Sequence, residues 1–500
     1  MSRNASEYRI VIGLEVHVQL KTETKLFCRC STRFGQPPNS QVCPVCLGLP
    51  GALPVLNAHA IELACRAGAA LGCKLADFTK WDRKNYFYPD LPKGYQTSQY
   101  DLPICSAGYV DIPITPSTNP PGSHHVSKRI RLVRAHLEED AGKSMHDEHS
   151  GRADSKIDLN RAGTPLLEIV SEPDLSSAEE AKTYLSELRL LMVYLGISDG
   201  NMQEGSLRAD ANVNLHIAQG DQWIATPIVE VKNLNSFRSV ERAIEFETAR
   251  QQAEFLRTGL AKGQAPKQTR GWNDVLGQTE LQREKEEEAD YRYFPCPDLV
   301  PVRLTELQKQ NAHQQATQTP THFRTELIDQ HELKPTDAEI LIQQGKPVVE
   351  YFLDCIRAGA PAKRLSAWML QDVLRTLNER SIGIELYPVS PKSMAQLLGA
   401  LEQGRIDTSQ AKQALAKLLE DPNLSVDASI ESLGIVRVDA SEIESLCKEL
   451  LAENADVIEK VKAGNNKAVA ALVGQAKKKN RNADPRMVQE ICLSLIAQMP

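Results

Sequence analysis

Two stretches with a strict period of two constrain any fold open to this 500-residue chain. Between Tyr8 and Leu20, Ile10, Ile12, Leu14, Val16 and Val18 fall on one side of an extended backbone. Gly13, Glu15, His17 and Gln19 fall on the other. Between Gly205 and Ile217 the pattern returns. Ala209, Ala211, Val213, Leu215 and Ile217 oppose Arg208, Asp210, Asn212, Asn214 and His216. Period two marks half-buried strands, each with one face against a core. The opposite face is built from hydrogen-bonding and ionisable groups, which predicts a polar cavity walled by sheet. Glu15 and His17 become next-but-one neighbours about 7 Å apart along the strand, placed to share a metal ion or a proton.

A third stretch, Lys156 to Asp174, combines a turn (Ala162-Gly163-Thr164-Pro165), an apolar strand (Leu166 to Val170) and a second turn (Glu172-Pro173-Asp174). Asp158, Asn160, Arg161, Glu168, Glu172 and Asp174 supply its ligand-type side chains. Just upstream, His136 to Ser144 is a second dense group that includes Glu138, Glu139 and Asp140.

The chain has 11 cysteines. Seven of them (Cys65, Cys73, Cys105, Cys296, Cys355, Cys447, Cys492) are scattered and read as small buried hydrophobes in a reducing compartment. The other four form two close pairs, Cys28-Arg-Cys30 and Cys43-Pro-Val-Cys46, joined by a loop rich in Gly, Pro, Asn and Ser. Two thiol pairs across such a loop offer the four corners of a structural zinc site, with no open position for chemistry.

Helical periodicity predicts helices over Ala58–Leu71, Ser177–Leu195 and Val240–Leu256, with Ser177 and Glu180 spaced as a capping box. Tyr109 to Val133 reads as short strands around a turn at Pro116–Pro121, and Gln282 to Asp290 as a solvated charge run. Lys80 to Tyr100 interleaves aromatic and basic residues, which suits base stacking with phosphate contacts and equally a structural aromatic loop. Composition shifts after Asp298. Gln308–Pro320 reads as a linker or exposed helix, and the chain is helical from Thr321, with a further boundary at Ser390-Pro391 or Gly404. The fold class is α+β.

Net charge is −7, so any nucleic-acid contact needs a local basic patch. Lys460 to Arg486 supplies one: eight basic residues against a single acid, Asp484, leave +7. The alternative is a basic helical face for solubility. No apolar run approaches the ~20 residues of a membrane helix, and Met1–Tyr8 lacks a signal-peptide core, so a cytoplasmic protein with no membrane partner is expected. There is neither a Walker-type Gly-rich loop nor a kinase motif set.

Five motifs in order resemble the B-subunit family of aspartyl/glutamyl-tRNA amidotransferases: Val11-Ile-Gly-Leu-Glu-Val-His-Val18, Asp82-Arg-Lys-Asn-Tyr-Phe-Tyr-Pro89, His136-Leu-Glu-Glu-Asp-Ala-Gly-Lys143, Leu159-Asn-Arg-Ala-Gly-Thr-Pro-Leu-Leu-Glu-Ile-Val-Ser171 and Asp290-Tyr-Arg-Tyr-Phe-Pro295. The resemblance runs the whole length. It implies a carbon–nitrogen ligase that uses ATP and magnesium. The enzyme phosphorylates the side-chain carboxylate of misacylated Glu-tRNA(Gln) or Asp-tRNA(Asn), then amidates it with ammonia. The ammonia comes from an amidase (glutaminase) subunit, GatA, in a heterotrimer with a small subunit, GatC.

By position the resemblance assigns Glu15, His17, Glu139 and Asp210 to the magnesium site, with Glu138 beside them in a catalytic role. Lys84, Arg161 and Arg208 are expected to contact phosphate or carboxylate. Lys477, Lys478, Lys479 and Arg481 are expected to contact tRNA. Zinc on Cys28, Cys30, Cys43 and Cys46 occurs in part of the family. The implied architecture is an antiparallel-sheet cradle domain (1–298), a helical domain (299–405) and a helical tail resembling YqeY domains (406–500). Two other readings of the residues remain: a non-catalytic RNA-binding adaptor, and a metal-dependent hydrolase built on Glu15, His17 and Glu139.

Overall fold

The computed structural model describes residues 7–114, 126–146, 155–285, 291–434, 440–462, 465–480, 483 and 485–498. The Pro116–Pro121 turn, Arg481 and part of the Gln282–Asp290 charge run lie outside the described residues. The chain divides into two compact units, Met1–His322 and Phe323–Pro500.

The first unit is organised by one large mixed sheet. Its main path uses ten strands: β1 (Tyr8–Gln19), β2 (Asp82–Asn85), β3 (Tyr95–Ser98), β4 (Val126–Glu139), β5 (Pro165–Ser171), β6 (Leu207–Gln219), β7 (Val229–Leu234), β8 (Lys267–Asn273), β9 (Gln278–Lys285) and β10 (Phe294–Pro295). They lie in the order β9-β8-β7-β6-β1-β5-β4-β3-β2-β10. Neighbours are antiparallel except β7 and β8, which run parallel because the 22-residue helix Phe237–Thr258 crosses between them.

The alternating residues behave as their period requires. Ile12, Leu14, Val16 and Val18 on β1, with Ala209, Ala211 and Val213 on β6, are buried in the unit's main core. Leu185, Leu188 and Met192 of the helix Ala178–Tyr194 join the same core, as do Val240, Ala243 and Ile244 of the crossover helix. These helices, together with Ala58–Ala70 through Ile61, Leu63 and Ala64, pack against the apolar side and leave the polar face free. Ser177 caps its helix by accepting from Glu180 N, but the box is not closed. The Glu180 carboxylate instead takes Lys128 Nζ at 2.7 Å and, one residue further back, Ser176 N at 2.7 Å. Gln308 lies in the helix Glu306–Gln315, closed at Thr305 by a true capping box.

The second unit is helical throughout. Ser390 and Pro391, expected at a boundary, open the helix Pro391–Glu402 as N-cap and first-turn proline. Its C-terminal part has a core of its own, from Ile443 through Leu450, Leu472 and Val488 to Ile496. All seven scattered cysteines are buried.

Candidate active site and metal centres

Register converts the polar strand faces into one site. β1 lies between β5 and β6, pairing Glu15 with Asp210 and His17 with both Arg208 and Glu168. β5 in turn pairs Glu168 with His136 on β4. Residues directly opposite across antiparallel strands share a face. Glu15, His17, Glu168, His136, Asp210 and Arg208 therefore converge, with Glu138 two residues along β4 from His136.

The centre is His17. Its Nε2 lies 3.4 Å from Glu168 Oε2 and 3.7 Å from Glu138 Oε1. His136 Nε2 lies 3.5 Å from Glu168 Oε2 on the far side. Ligand atoms of His17, Glu138 and Glu168 all lie within 4.8 Å of one another. Glu15 Oε1 accepts from Asn212 Nδ2 at 2.9 Å, and Lys232 Nζ bridges Asp210 at 2.8 Å and Glu230 at 2.9 Å.

The electrostatics are those of a crowded anionic pocket. Burial and the neighbouring Glu168 push the Glu138 carboxyl up to about 7. Burial, then Glu168, raises Glu15 as well. Burial alone would keep His17 neutral, but its hydrogen bond to Glu168 and the charges of Glu168 and Glu138 lift it to about 9. Burial drives His136 down to about 4. Burial opposes ionisation of Glu168, yet the two imidazoles and Lys84 hold it below the usual carboxylate range. The His17 proton thus occupies the place a divalent cation would take. The donor set of one imidazole and two carboxylates, with two more carboxylates along the face, fits such an ion, and binding would release that proton.

Glu139 goes elsewhere. Consecutive strand residues point to opposite faces, and Glu139 Oε1 accepts from Lys93 Nζ and from Thr97 N at 3.1 Å. The structure brings His17 together with Glu138 and Glu168, has Glu15 and Asp210 on the same face, and sets Glu139 apart. Arg208 Nη2 donates to the buried Asp140 Oδ2 at 2.7 Å, which also takes Gln19 Nε2 at 2.8 Å. Arg161 donates to the carbonyls of Ala141 and Gly142 at 2.9 and 2.7 Å, with Nε 3.6 Å from Asp140. Lys84 Nζ lies 4.9 Å from the Tyr291 ring, beside Tyr86 and the stacked pair Tyr100–Tyr293. Sequence reasoning marks Glu168, His136 and Asp140 as belonging to ligand-rich stretches but gives them no role beside His17 or Arg208, and it misses Lys232. Strand parity alone would have favoured Glu138, at an even offset from His136, over Glu139.

Away from this face, the sulfurs of Cys28, Cys30, Cys43 and Cys46 lie within 4.8 Å of one another, and Cys43 Sγ is 3.9 Å from Cys46 Sγ. A tetrahedral zinc ion with Zn–S near 2.3 Å needs an S–S edge of about 3.8 Å, so the group fits. The hydrogen bond from Cys28 helps bring Cys46 down to about 5, a thiolate ready to ligate.

In the second unit, Lys477 Nζ pairs with Asp407 at 2.5 Å and Lys479 with Glu449 and Glu453 at 2.9 Å, while Lys478 is exposed. No helix among the described residues is long and apolar enough to cross a membrane.

Residues 10–310 match the family described as GatB/GatE catalytic domain, and residues 350–496 match the GatB domain. The B subunit of the aspartyl/glutamyl-tRNA(Asn/Gln) amidotransferase of Rhodopirellula baltica is 55% identical over 98% of this chain and 97% of its own length. Those of Geobacter sulfurreducens and Thermoanaerobacter pseudethanolicus are 45% and 43% identical, each over 97% of this chain and 98% of their own. With relatives this similar over nearly their full length and a catalytic-domain match over most of the sheet unit, the chain belongs to the family of aspartyl/glutamyl-tRNA amidotransferase B subunits.

Proposed function

We propose that this chain activates the side-chain carboxylate of Glu-tRNA(Gln), Asp-tRNA(Asn) or both with ATP and exchanges the activated oxygen for ammonia. The observation that carries the reading is the His17–Glu138–Glu168 cluster, with Glu138 buried and the other two partly buried, on a sheet face that also holds Arg208 and Lys232. A carboxylate resists ammonia at neutral pH because its leaving group would be an oxide. A carboxylate oxygen that attacks the γ-phosphorus releases ADP and becomes part of an acyl phosphate. Ammonia then adds at the acyl carbon, and phosphate leaves with the former carboxylate oxygen.

His17, Glu138 and Glu168 would hold magnesium, with Glu15 and Asp210 next along the face. Bound there, the ion neutralises phosphate charge. The chain's own residues do the rest. Arg208, held by Asp140, and Lys84, against Tyr291, present fixed cations to phosphate or carboxylate oxygens at no reorganisation cost. Arg161 fixes the end of β4 through Ala141 and Gly142. Zinc on the four cysteines would be structural.

The separate core of the C-terminal helices supports reading residues 406–500 as a module, with residues 299–405 as a helical domain after the cradle. Lys478 and the segment around it would meet the tRNA backbone. Ammonia would come from an amidase partner, with a small third subunit completing the complex.

The test supplies the chain with both partner subunits, either misacylated tRNA, ATP, magnesium and ammonium chloride. Equal amounts of ADP and amidated tRNA support the reading. tRNA binding without ADP, with either tRNA, refutes it.

A further inference from the structure

We infer that Lys25 is a positioning residue. It ties the four-cysteine module to the loop of residues 159–164 that carries Arg161 into β5 (the catalytic loop), so the module fixes the anion-binding end of the site rather than only stabilising the fold. The inference rests on the proposed activity for its kinetic arm only. Lys25 is fully buried, yet it carries an ammonium. Its Nζ donates to Gln41 O at 2.8 Å in the cysteine loop, to Leu159 O at 3.4 Å in the catalytic loop, and to Cys46 Sγ at 3.7 Å. Among the described residues no carboxylate pairs with it. A buried ammonium needs a counter-charge. A zinc ion held by four thiolates would carry a net −2, and Lys25, 3.7 Å from Cys46 Sγ, would be a cation beside it.

The same two loops are stitched by side chains on either side of Lys25. Asn39 N donates to Asp158 Oδ1 at 3.0 Å, Asn39 Nδ2 to Ile157 O at 3.0 Å, and Leu159 N to Asn39 Oδ1 at 2.8 Å. Gln41 N donates to Asn160 Oδ1 at 2.8 Å, and Asn160 Nδ2 to Pro37 O at 2.7 Å. Arg161 follows directly, reaching Ala141, Gly142 and Asp140, and Asp140 holds Arg208. At Gly163 a Cβ would lie 3.6 Å from both Lys25 Cδ and Glu139 Oε2 and 3.7 Å from Cys46 Cβ, so module and catalytic loop meet there as well. A rigid chain of contacts thus runs from the cysteines to the Arg208 guanidinium.

Two variants in the full complex test this. Lys25→Met keeps the buried volume and removes the charge; zinc transfer to a chromogenic chelator should be at least tenfold faster than in the natural chain. Asn39 sits at φ +58, so Asn39→Gly keeps the backbone and deletes only the side-chain stitches. It should keep its zinc and its melting temperature, lose at least fivefold in kcat, and leave the KM for tRNA unchanged. Zinc transfer at the natural rate in Lys25→Met, or natural turnover in Asn39→Gly, overturns the inference. If the natural complex itself forms no amide, the proposed function fails while the zinc-transfer arm still decides the role of Lys25.

Discussion

Asp140→Asn is the sharpest structural test of how the site is held. Asp140 is buried, with 2% of its side chain exposed, between Arg208 Nη2 at 2.7 Å and Gln19 Nε2 at 2.8 Å, with Arg161 at 3.6 Å. Both hydrogen bonds end on one carboxylate oxygen. Asparagine keeps the shape but offers one acceptor and turns its amide nitrogen on the other side toward a donor. Hydrogen bonds to charged groups contribute about 1.5–3 kcal/mol each, and removing one partner of a buried pair costs about 3–5 kcal/mol. Arg208 is a third exposed and can recover solvent, which lowers the sum. The expected loss is about 2–3 kcal/mol at neutral pH. Urea titration, followed through the buried Trp81 in the same core, would measure it. In a double-mutant cycle with Arg208→Met, at least ~1 kcal/mol of the loss should be shared. A loss below about 0.5 kcal/mol, or two losses that simply add, would refute the reasoning.

Glu168→Gln removes the carboxylate charge that helps lift His17 to about 9, so NMR titration of the metal-free protein should place the His17 ring below 7; a midpoint still near 9 would count against the assigned pairing. Sign matters here: a raised histidine pKa stabilises the fold below about 6.5 and loses that contribution as pH climbs through about 9, so the natural chain should soften over that interval and Glu168→Gln should not. Asp407 caps the helix Thr408–Glu420 and pairs with Lys477. Asp407→Ala should cost about 1–2 kcal/mol and Asp407→Asn clearly less, because asparagine still caps; equal costs in thermal melts would assign the effect to the ion pair instead. The Lys477 pair and the cap bonds to Gln410 and Ser409 outweigh burial and depress the Asp407 pKa. Its contribution should therefore persist above about pH 4 and fade as pH drops further, with Asp407→Ala insensitive to that change.

The strand faces were legible because period two survives without knowledge of partners. Ile12, Leu14 and Val16 had to be inside, and Glu15 and His17 outside that core, whatever strand came next. The four cysteines were legible for a similar reason, since their spacing is local. What escaped was register. Glu168 and His136 reach His17 only because β1 inserts between β5 and β6, and no local pattern states that alignment across some 150 residues. Motif position points to Glu139, where strand parity turns it to Lys93. The parallel β7–β8 pair also lay beyond local patterning, because it depends on a helix crossing over the sheet.

The most direct test of the central claim follows one oxygen. Misacylated tRNA bearing an ¹⁸O-labelled side-chain carboxylate is turned over by the complex with ATP, magnesium and ammonia, and the released phosphate is analysed by mass. An acyl phosphate requires one labelled oxygen per phosphate, formed by the natural chain and abolished along with turnover in His17→Ala. Amidated tRNA accompanied by unlabelled phosphate would contradict phosphorylation of the carboxylate, and labelled phosphate at the natural rate from His17→Ala would move the site away from the His17–Glu138–Glu168 cluster.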